Sequence, residues 1–487
     1  MTFRPALLLV AALLALPVVQ GCGGGNEPKA KHVLFISVDT LRYDRLGCYG
    51  GSNRPSPTID ALAASGTRFT NAYVQRAITL SSFASFFTSR YPDETGILNN
   101  NKVVPRDERL LAERLAEARF HCVAFQSSGV LDPRRSGIEQ GFDKYHMELD
   151  EGRMTNRACE FVRSNFGKDG RRQFMWVHFM RPHRPYAPPS PYDKRFTKDY
   201  QGFYDGSSDT LDRIFVKKEK LAPADLDHIL GLYDGTIAFV DDCIASLLTA
   251  LREAGHADDT LIVFAADHGE ELYERHAYFY HSSSLYRSCV QIPLIFAQPG
   301  RVVPQVRDDL VENVDFVPTV LSWLGLEADD PSFRGYDLGD VLQGRGTVPR
   351  DFVTSQWEDV IYGIRNREWF YVDNPEDVMP VGPPDEGVYP IDTRELYDLR
   401  ADPREQTNVV ASNVAQADRM REALDRFRSE LVIKRVEDDL SADRMQMLRE
   451  NGYIGNTPNP RRTGKKKAPP TGTEPPPVVP QDANEKH

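Results

Sequence analysis

Cysteine and tryptophan are scarce here, six and four in 487 residues, so a disulfide-stapled scaffold is excluded. No CxxC spacing marks a metal or redox centre, and Cys48, Cys122, Cys159, Cys243 and Cys289 sit in mostly apolar or helical surroundings that predict plain burial. An excess of basic charge is also missing. Lys plus Arg number 59 against 71 Asp plus Glu, a formal net charge of -12, and an acidic surface repels phosphate backbones, so no nucleic-acid partner is expected. The N-terminal apolar run, residues 6–19, falls short of the roughly 20 residues a membrane-spanning helix needs. Internal repeats are absent. The length suffices for one large domain carrying a smaller one.

What is present starts at the N-terminus. A basic MTFRP, the apolar run and a small-residue stretch at 21–25 read as a secretory signal. The end of that run, Val19-Gln20-Gly21-Cys22, resembles a bacterial lipoprotein cleavage box, in which the cysteine becomes the lipidated first residue, although Gln20 is not the usual small residue there. The expected plan is a signal peptide of lipoprotein type over 1–22, a flexible tether over 23–31, a main domain over 32–345, a smaller subdomain over 346–455 and a disordered Pro-, Lys- and Gly-rich tail over 456–487. Export to the periplasm or cell envelope follows, with membrane contact through a lipid on Cys22 if it is processed, a simple cleaved signal being the alternative, and no protein partner is inferred.

Continuous apolar, β-branched runs mark strands buried on both faces: HVLFISV at 32–38, FMWVHF at 174–179 and LIVFAA at 261–266. Helical spacing predicts helices over 236–255, 107–119 and 414–431. Strands alternating with helices predict an α/β fold with a large, mostly parallel central sheet flanked by helices. Residues 350–399, rich in aromatics and prolines, predict hairpins in a smaller C-terminal α+β subdomain. In such sheets ligands gather beyond the carboxyl ends of the strands. Asp39 and Asp267 each follow a buried strand directly, and Asp267 is joined by His268 and Gly269. One such Asp is an ordinary turn residue. Two on one sheet edge, with a histidine, suit a divalent cation.

The hydroxyl cluster TLSSFASFFTSRYP at 79–92 reads first as a capped helix whose buried face is Phe83, Phe86 and Phe87. Beside a cation held by Asp39, Asp267 and His268, a Thr79 oxygen could complete the shell, and the ion would lower the hydroxyl's pKa. The same ion would neutralise a tetrahedral anion, which makes sulfate and phosphate esters the natural substrates. His183, in a Pro-rich loop, and His281, in FYHSSSLY, are candidates to hold the anion or protonate the leaving alcohol, although each also suits a plain loop or turn role.

These residues belong to a wider pattern. VLFISVDTLRYDRLGCYG at 33–50 resembles the opening strand and first metal ligand of the sulfatase family, in the alkaline phosphatase superfamily. HFMRPHRPYAPP at 178–189, YDGTIAFVDD at 233–242, AADHGEEL at 265–272, YHSSSLY at 280–286, IPLIFAQPG at 292–300 and ELYDLRADPREQTN at 395–408 follow in the family's order. The resemblance implies a large α/β catalytic domain with a mixed sheet, followed by a small C-terminal domain with a short antiparallel sheet. It implies metal ligands at Asp39, Asp267 and His268, an anion-contacting histidine at His183, and a substrate contact at His281. It also implies one divalent ion, calcium by family habit, with magnesium, manganese or zinc open.

Three departures matter. Formylglycine-type sulfatases read Cys-x-Pro-x-Arg where this chain has Thr79, Ser81 and Phe83, so the usual oxidation to formylglycine has no starting residue. Relatives acting on phosphoesters or phosphonates use an unmodified Thr or Ser there. Thr40 replaces a second consecutive Asp, and the Lys-Trp-His segment is unrecognisable at 125–129, FQSSG. A two-zinc site is not expected, since after Asp234 position 238 is Ala rather than His. The expected protein is a metal-dependent hydrolase of small-molecule or glycan sulfate esters, or of phosphate or phosphonate esters, with Thr79 as nucleophile and metal contact. The alternative is a protein of the same fold that binds an anionic glycan or lipid without turning it over.

Overall fold

The computed structural model describes residues 28–275, 279–378, 381–382, 387–388, 391–439, 441 and 446. The expected signal peptide, Cys22 and the tail 456–487 lie outside the described residues. Residues 29–31, assigned to the tether from composition, are held on the body instead. Lys29 N–H donates to Trp323 O at 2.9 Å, Lys31 N–H donates to Asp259 O at 2.8 Å, and Ala30 is buried. A backbone bonded at both ends is no tether.

Eight strands form the central sheet: β1 (His32–Val38), β2 (Thr67–Tyr73), β3 (His121–Gln126), β4 (Lys144–Met147), β5 (Gln173–Phe179), β6 (Thr260–Ala266), β7 (Gln291–Ala297) and β8 (Gln305–Glu312). Their order is β4-β3-β5-β1-β6-β7-β2-β8. Only β7 runs antiparallel to its neighbours, β6 and β2, so the sheet is mixed and mostly parallel, as expected. β1, β5 and β6 are buried along their whole length because helices cover both faces. On one face, Phe83 and Phe87 of the Thr79–Thr88 helix pack on Trp176 at ring separations of 4.7 and 4.8 Å, while Phe316 packs on Phe35 at 4.6 Å. On the other, Phe161 of the Glu151–Asn165 helix packs on Phe125.

Two helices differ from their expected bounds. The helix expected over 236–255 starts earlier, spanning Pro223–Glu253 with proline in its first turn. Gly231 and Gly235 interrupt the helical pattern for a packing reason. A Cβ on either would lie 2.6 Å from the carbonyl oxygen of Phe196 or Tyr192, so glycine lets that loop approach closely. The helix expected over 107–119 shrinks to Leu111–Glu117. Glu113 folds back to accept the Leu110 N–H at 2.9 Å, fixing the start, and Arg119 takes a left-handed φ of 64° that ends the coil.

The smaller region carries a four-stranded antiparallel sheet of Val353–Trp357, Ile361–Arg365, Trp369–Asp373 and Arg394–Asp398. The helix Val414–Ser429 covers it through Ala417, Met420 and Leu424. The chain then returns to the main body, where Lys434 N–H donates to Asp93 O at 2.8 Å and Asp439 N–H to Asn101 O at 2.7 Å. Among the described residues, no helix is long and apolar enough to cross a membrane. Cys122, Cys159, Cys243 and Cys289 are buried free thiols and Cys48 is half-buried.

Candidate active site

Parallel pairing sets the site. Val38 lies opposite both Phe179 of β5 and Ala266 of β6, so Asp39 and Asp267 leave adjacent strands side by side at the carboxyl edge. Asp267 Oδ1 accepts the backbone N–H groups of Thr40 at 3.1 Å and His268 at 2.8 Å. Its Oδ2 and Asp39 Oδ1 are buried with no hydrogen-bond partner. Burial, then the facing Asp267 charge, drives the Asp39 carboxyl well above the usual range. Two buried carboxylates with outward-bare oxygens suit a cation between them, so the residues present fit the divalent ion the family implies.

Thr79 opens the Thr79–Thr88 helix, and its Oγ1 lies 3.5 Å from both Asp39 Oδ2 and His268 Nε2. The helix N-terminus adds partial positive charge where an anion would sit. His268 Nδ1 lies 3.0 Å from Gly269 O, which accepts its proton and leaves Nε2 facing Asp267 Oδ2 at 3.5 Å. Burial pulls the His268 pKa down, but the Asp267 and Asp39 carboxylates outweigh it and leave it raised. The structure therefore brings Asp39, Thr79, Asp267 and His268 into one cluster.

His281 joins that cluster, its ring 4.5 Å from the His268 ring, and His183 lies 5.3 Å beyond it. His183 Nδ1 meets Arg184 O at 2.8 Å, and burial, then His281, pulls its pKa down to about 3. His281 Nδ1 meets Glu270 Oε1 at 2.9 Å, and Tyr186 donates its hydroxyl proton to Glu270 Oε2 at 3.3 Å. Glu270 is a positioning residue that sequence reasoning missed, because GEEL after a histidine reads as a solvated turn.

His178 was missed as well. Its Nε2 is fully buried without a hydrogen-bond partner and lies 3.6 Å from Asp39 Oδ2, beyond hydrogen-bond reach. Ligand atoms of Asp39, His178 and Asp267 all lie within 4.8 Å of one another. Burial holds the His178 pKa near 4, so its ring is neutral at pH 7. The only advance signal was a histidine inside a strand otherwise apolar.

The departures also acquire positions. Phe83 sits edge-on to the His178 ring at 5.0 Å, so it walls that histidine rather than leaving a gap. Gln126 is the register partner of His178, and the Gln126 amide and Ser128 hydroxyl are buried without hydrogen-bond partners. Neutral polar groups thus replace a basic segment. Asp234 is bound by Arg45 at 2.8 Å and by Asn53 at 2.6 Å, which removes it from any metal set. A second cluster, His32, His256 and Asp259, lies at the opposite end of β1. There Gln173 N–H donates to His32 Nδ1 at 3.0 Å, so the neutral ring carries its proton on Nε2 and that nitrogen is no ligand.

Known proteins resemble this chain in sequence and in fold. N-acetylglucosamine-6-O-sulfatase of Bacteroides thetaiotaomicron is 23% identical, over 83% of this chain and 86% of that protein. Arylsulfatase A of Homo sapiens is 24% identical, over 72% of this chain and 75% of the relative. Among solved structures, phosphonate monoester hydrolase of Agrobacterium radiobacter superposes with a TM-score of 0.66 at 21% identity, covering 83% of this chain and 96% of that one. A protein solved in complex with its substrate D-glucosamine-2-N,6-O-disulfate gives a TM-score of 0.66 at 20% identity, covering 83% and 98%. The family model described as Sulfatase matches residues 31–326. That span exceeds half of the sequence, and the chain belongs to the sulfatase family of ester hydrolases.

Proposed function

We propose that the protein is a metal-dependent hydrolase of sulfate esters, or of phosphate or phosphonate esters, in which Thr79 is the nucleophile. One observation carries this reading: the Thr79 hydroxyl, at a helix N-terminus, lies 3.5 Å from both Asp39 Oδ2 and His268 Nε2. Asp39, Asp267 and His268 would hold the divalent ion, with Thr79 Oγ1 beside it. When bound, such an ion lowers the pKa of a hydroxyl and offsets charge developing on the substrate oxygens. A relative that bears the name N-acetylglucosamine-6-O-sulfatase and a fold neighbour that is a phosphonate monoester hydrolase frame the two substrate classes.

The Thr79 proton passes to Asp39 Oδ2, the carboxylate oxygen its hydroxyl faces, as Oγ1 bonds to sulfur or phosphorus. The bond to the alcohol oxygen breaks, and the leaving alkoxide takes a proton from His183 or His281. Both histidines are neutral in their buried setting. A bound anion would raise their pKa values and so favour uptake of the proton from solvent that the donor then delivers. Glu270 fixes the His281 ring during this step. Water then attacks the sulfated, phosphorylated or phosphonylated threonine at the same centre, releasing sulfate, phosphate or the phosphonate and restoring the hydroxyl.

Paired aryl sulfate and aryl phosphonate monoester substrates test the reading. Thr79→Ala should lower turnover at least about 10³-fold with unchanged circular dichroism and metal content, since removing a nucleophile leaves only binding and electrostatic assistance. Undiminished turnover would reject Thr79. A second reading, binding of an anionic glycan or lipid without turnover, is favoured by the neutral Phe83, Gln126 and Ser128 where basic contacts are usual in the family. A wild-type protein that binds a sulfated oligosaccharide but cleaves neither ester would establish it. We further propose export through residues 1–22 and lipid attachment at Cys22.

A further inference from the structure

We propose that His178 Nε2 is a ligand of the cation held by Asp39 and Asp267, and that it directs the site toward a nitrogen-accepting transition metal, of the manganese, iron or zinc class, rather than calcium. The inference rests on the reading that Asp39 and Asp267 hold a cation.

Asp39 Oδ1, Asp267 Oδ2 and His178 Nε2 are unpartnered, on residues that are each 0% exposed and whose ligand atoms stand within 4.8 Å of one another. A buried polar atom without a partner is costly, so three on residues this close together argue for a shared occupant. The spacings fit that occupant. His178 Nε2 lies 3.6 Å from Asp39 Oδ2 and His268 Nε2 lies 3.5 Å from Asp267 Oδ2. Neither His178 Nε2 nor Asp267 Oδ2 has a hydrogen-bond partner. The two gaps are close to the separation of two donors that share an ion at about 2.1 Å each.

The other face of the imidazole is prepared for this role. His178 Nδ1 lies 3.0 Å from Ser37 Oγ, and Trp176 Nε1–H donates to the same oxygen at 2.8 Å. Ser37 Oγ keeps a lone pair that can take the Nδ1 proton, which leaves Nε2 as the bare nitrogen. An outer hydrogen bond of this kind orients metal-bound histidines, and the hydroxyl can accept or donate as the ring requires. Phe83, edge-on at 5.0 Å, closes the ring in and keeps any cationic side chain away from it.

Charge and donor type then select the metal. Thr40 is neutral, so two carboxylates balance one divalent ion, and His178 adds a donor without adding charge. With His268, the set offers two imidazole nitrogens. Calcium takes six to eight oxygens, whereas mixed imidazole and carboxylate sets suit manganese, iron, cobalt and zinc.

The full chain, stripped by chelation, is reloaded separately with manganese, cobalt, zinc and calcium, and metal per protein is measured after desalting. Wild type should keep about one equivalent of a transition metal and at least tenfold less calcium at equal free ion. His178→Ala and His178→Gln should each lose transition-metal affinity at least tenfold while calcium binding stays level. On protein labelled with ¹⁵N-histidine, pulsed electron paramagnetic resonance of bound manganese should count two histidine nitrogens in wild type. That measurement needs no variant to fold. One nitrogen in wild type, equal retention of zinc by a folded variant, or a wild-type preference for calcium would overturn the His178 assignment and leave the cation site standing. Failure of wild type to bind any divalent ion, matched by Asp267→Ala, would overturn the underlying cation reading as well.

Discussion

Histidine burial is the strongest residue-scale feature of this molecule. Burial, outweighing the carboxylates that face His32 and His178 and reinforced by His281 at His183, holds the pKa values of His32 and His178 near 4 and of His183 near 3. In the unfolded chain each titrates near 6.5. Between those values the unfolded state binds more protons, so stability is full above about pH 6.5 and is lost as pH falls toward 4. The urea midpoint of the metal-free protein should therefore drop between pH 7 and 5. His32→Asn, at the end of β1 remote from the active site, should flatten part of that slope, and a slope unchanged in the variant would contradict the assignment. Legibility at this scale followed local contrast. Asp39 and Asp267 stand out because each is the first charge after an apolar strand. His178 sits between Val177 and Phe179 in such a strand, where surrounding hydrophobicity hides a functional group, and Glu270 is masked by charged neighbours.

Among elements, the buried strands were legible because burial on both faces leaves a continuous apolar run. Helix ends were not. The Pro223–Glu253 helix contains two glycines that read as breakers, and only the carbonyls of Tyr192 and Phe196 pressed against them explain their presence. The small sheet contributes a brace to the active-site loop. Arg365, 1% exposed, pairs with Glu405 at 2.6 Å and donates to Leu285 O at 3.1 Å, while Glu405 accepts the Arg287 N–H at 3.0 Å. Leu285 and Arg287 follow His281 on one loop. Removing one partner leaves a buried charge uncompensated, so Glu405→Ala should cost about 3–5 kcal/mol in urea unfolding. A loss under about 1 kcal/mol would show that Arg365 finds another partner.

For the molecule as a whole, the division of labour is uneven. Every residue proposed to touch the ester or the ion comes from the large sheet, its loops or the Thr79–Thr88 helix, and the smaller region supports them from behind. The fold was legible in ordered motifs, whereas the path of the chain after the last helix was not, since residues 431–439 carry no periodic pattern. The proposed attachment at Cys22 belongs to this scale too. Wild type should fractionate with membranes and incorporate labelled palmitate, and Cys22→Ser should do neither. A wild type found wholly in the soluble fraction would reject the anchor. The returning segment carries a consequence for biogenesis. Asp439 holds Asn101, and the neighbouring Asn100 accepts the Leu80 N–H at 3.1 Å, directly beside Thr79. The chain must emerge as far as residue 439 before that brace can close, so the Thr79 hydroxyl proposed as nucleophile reaches its final setting late, and a nascent or clipped chain would carry it unsupported.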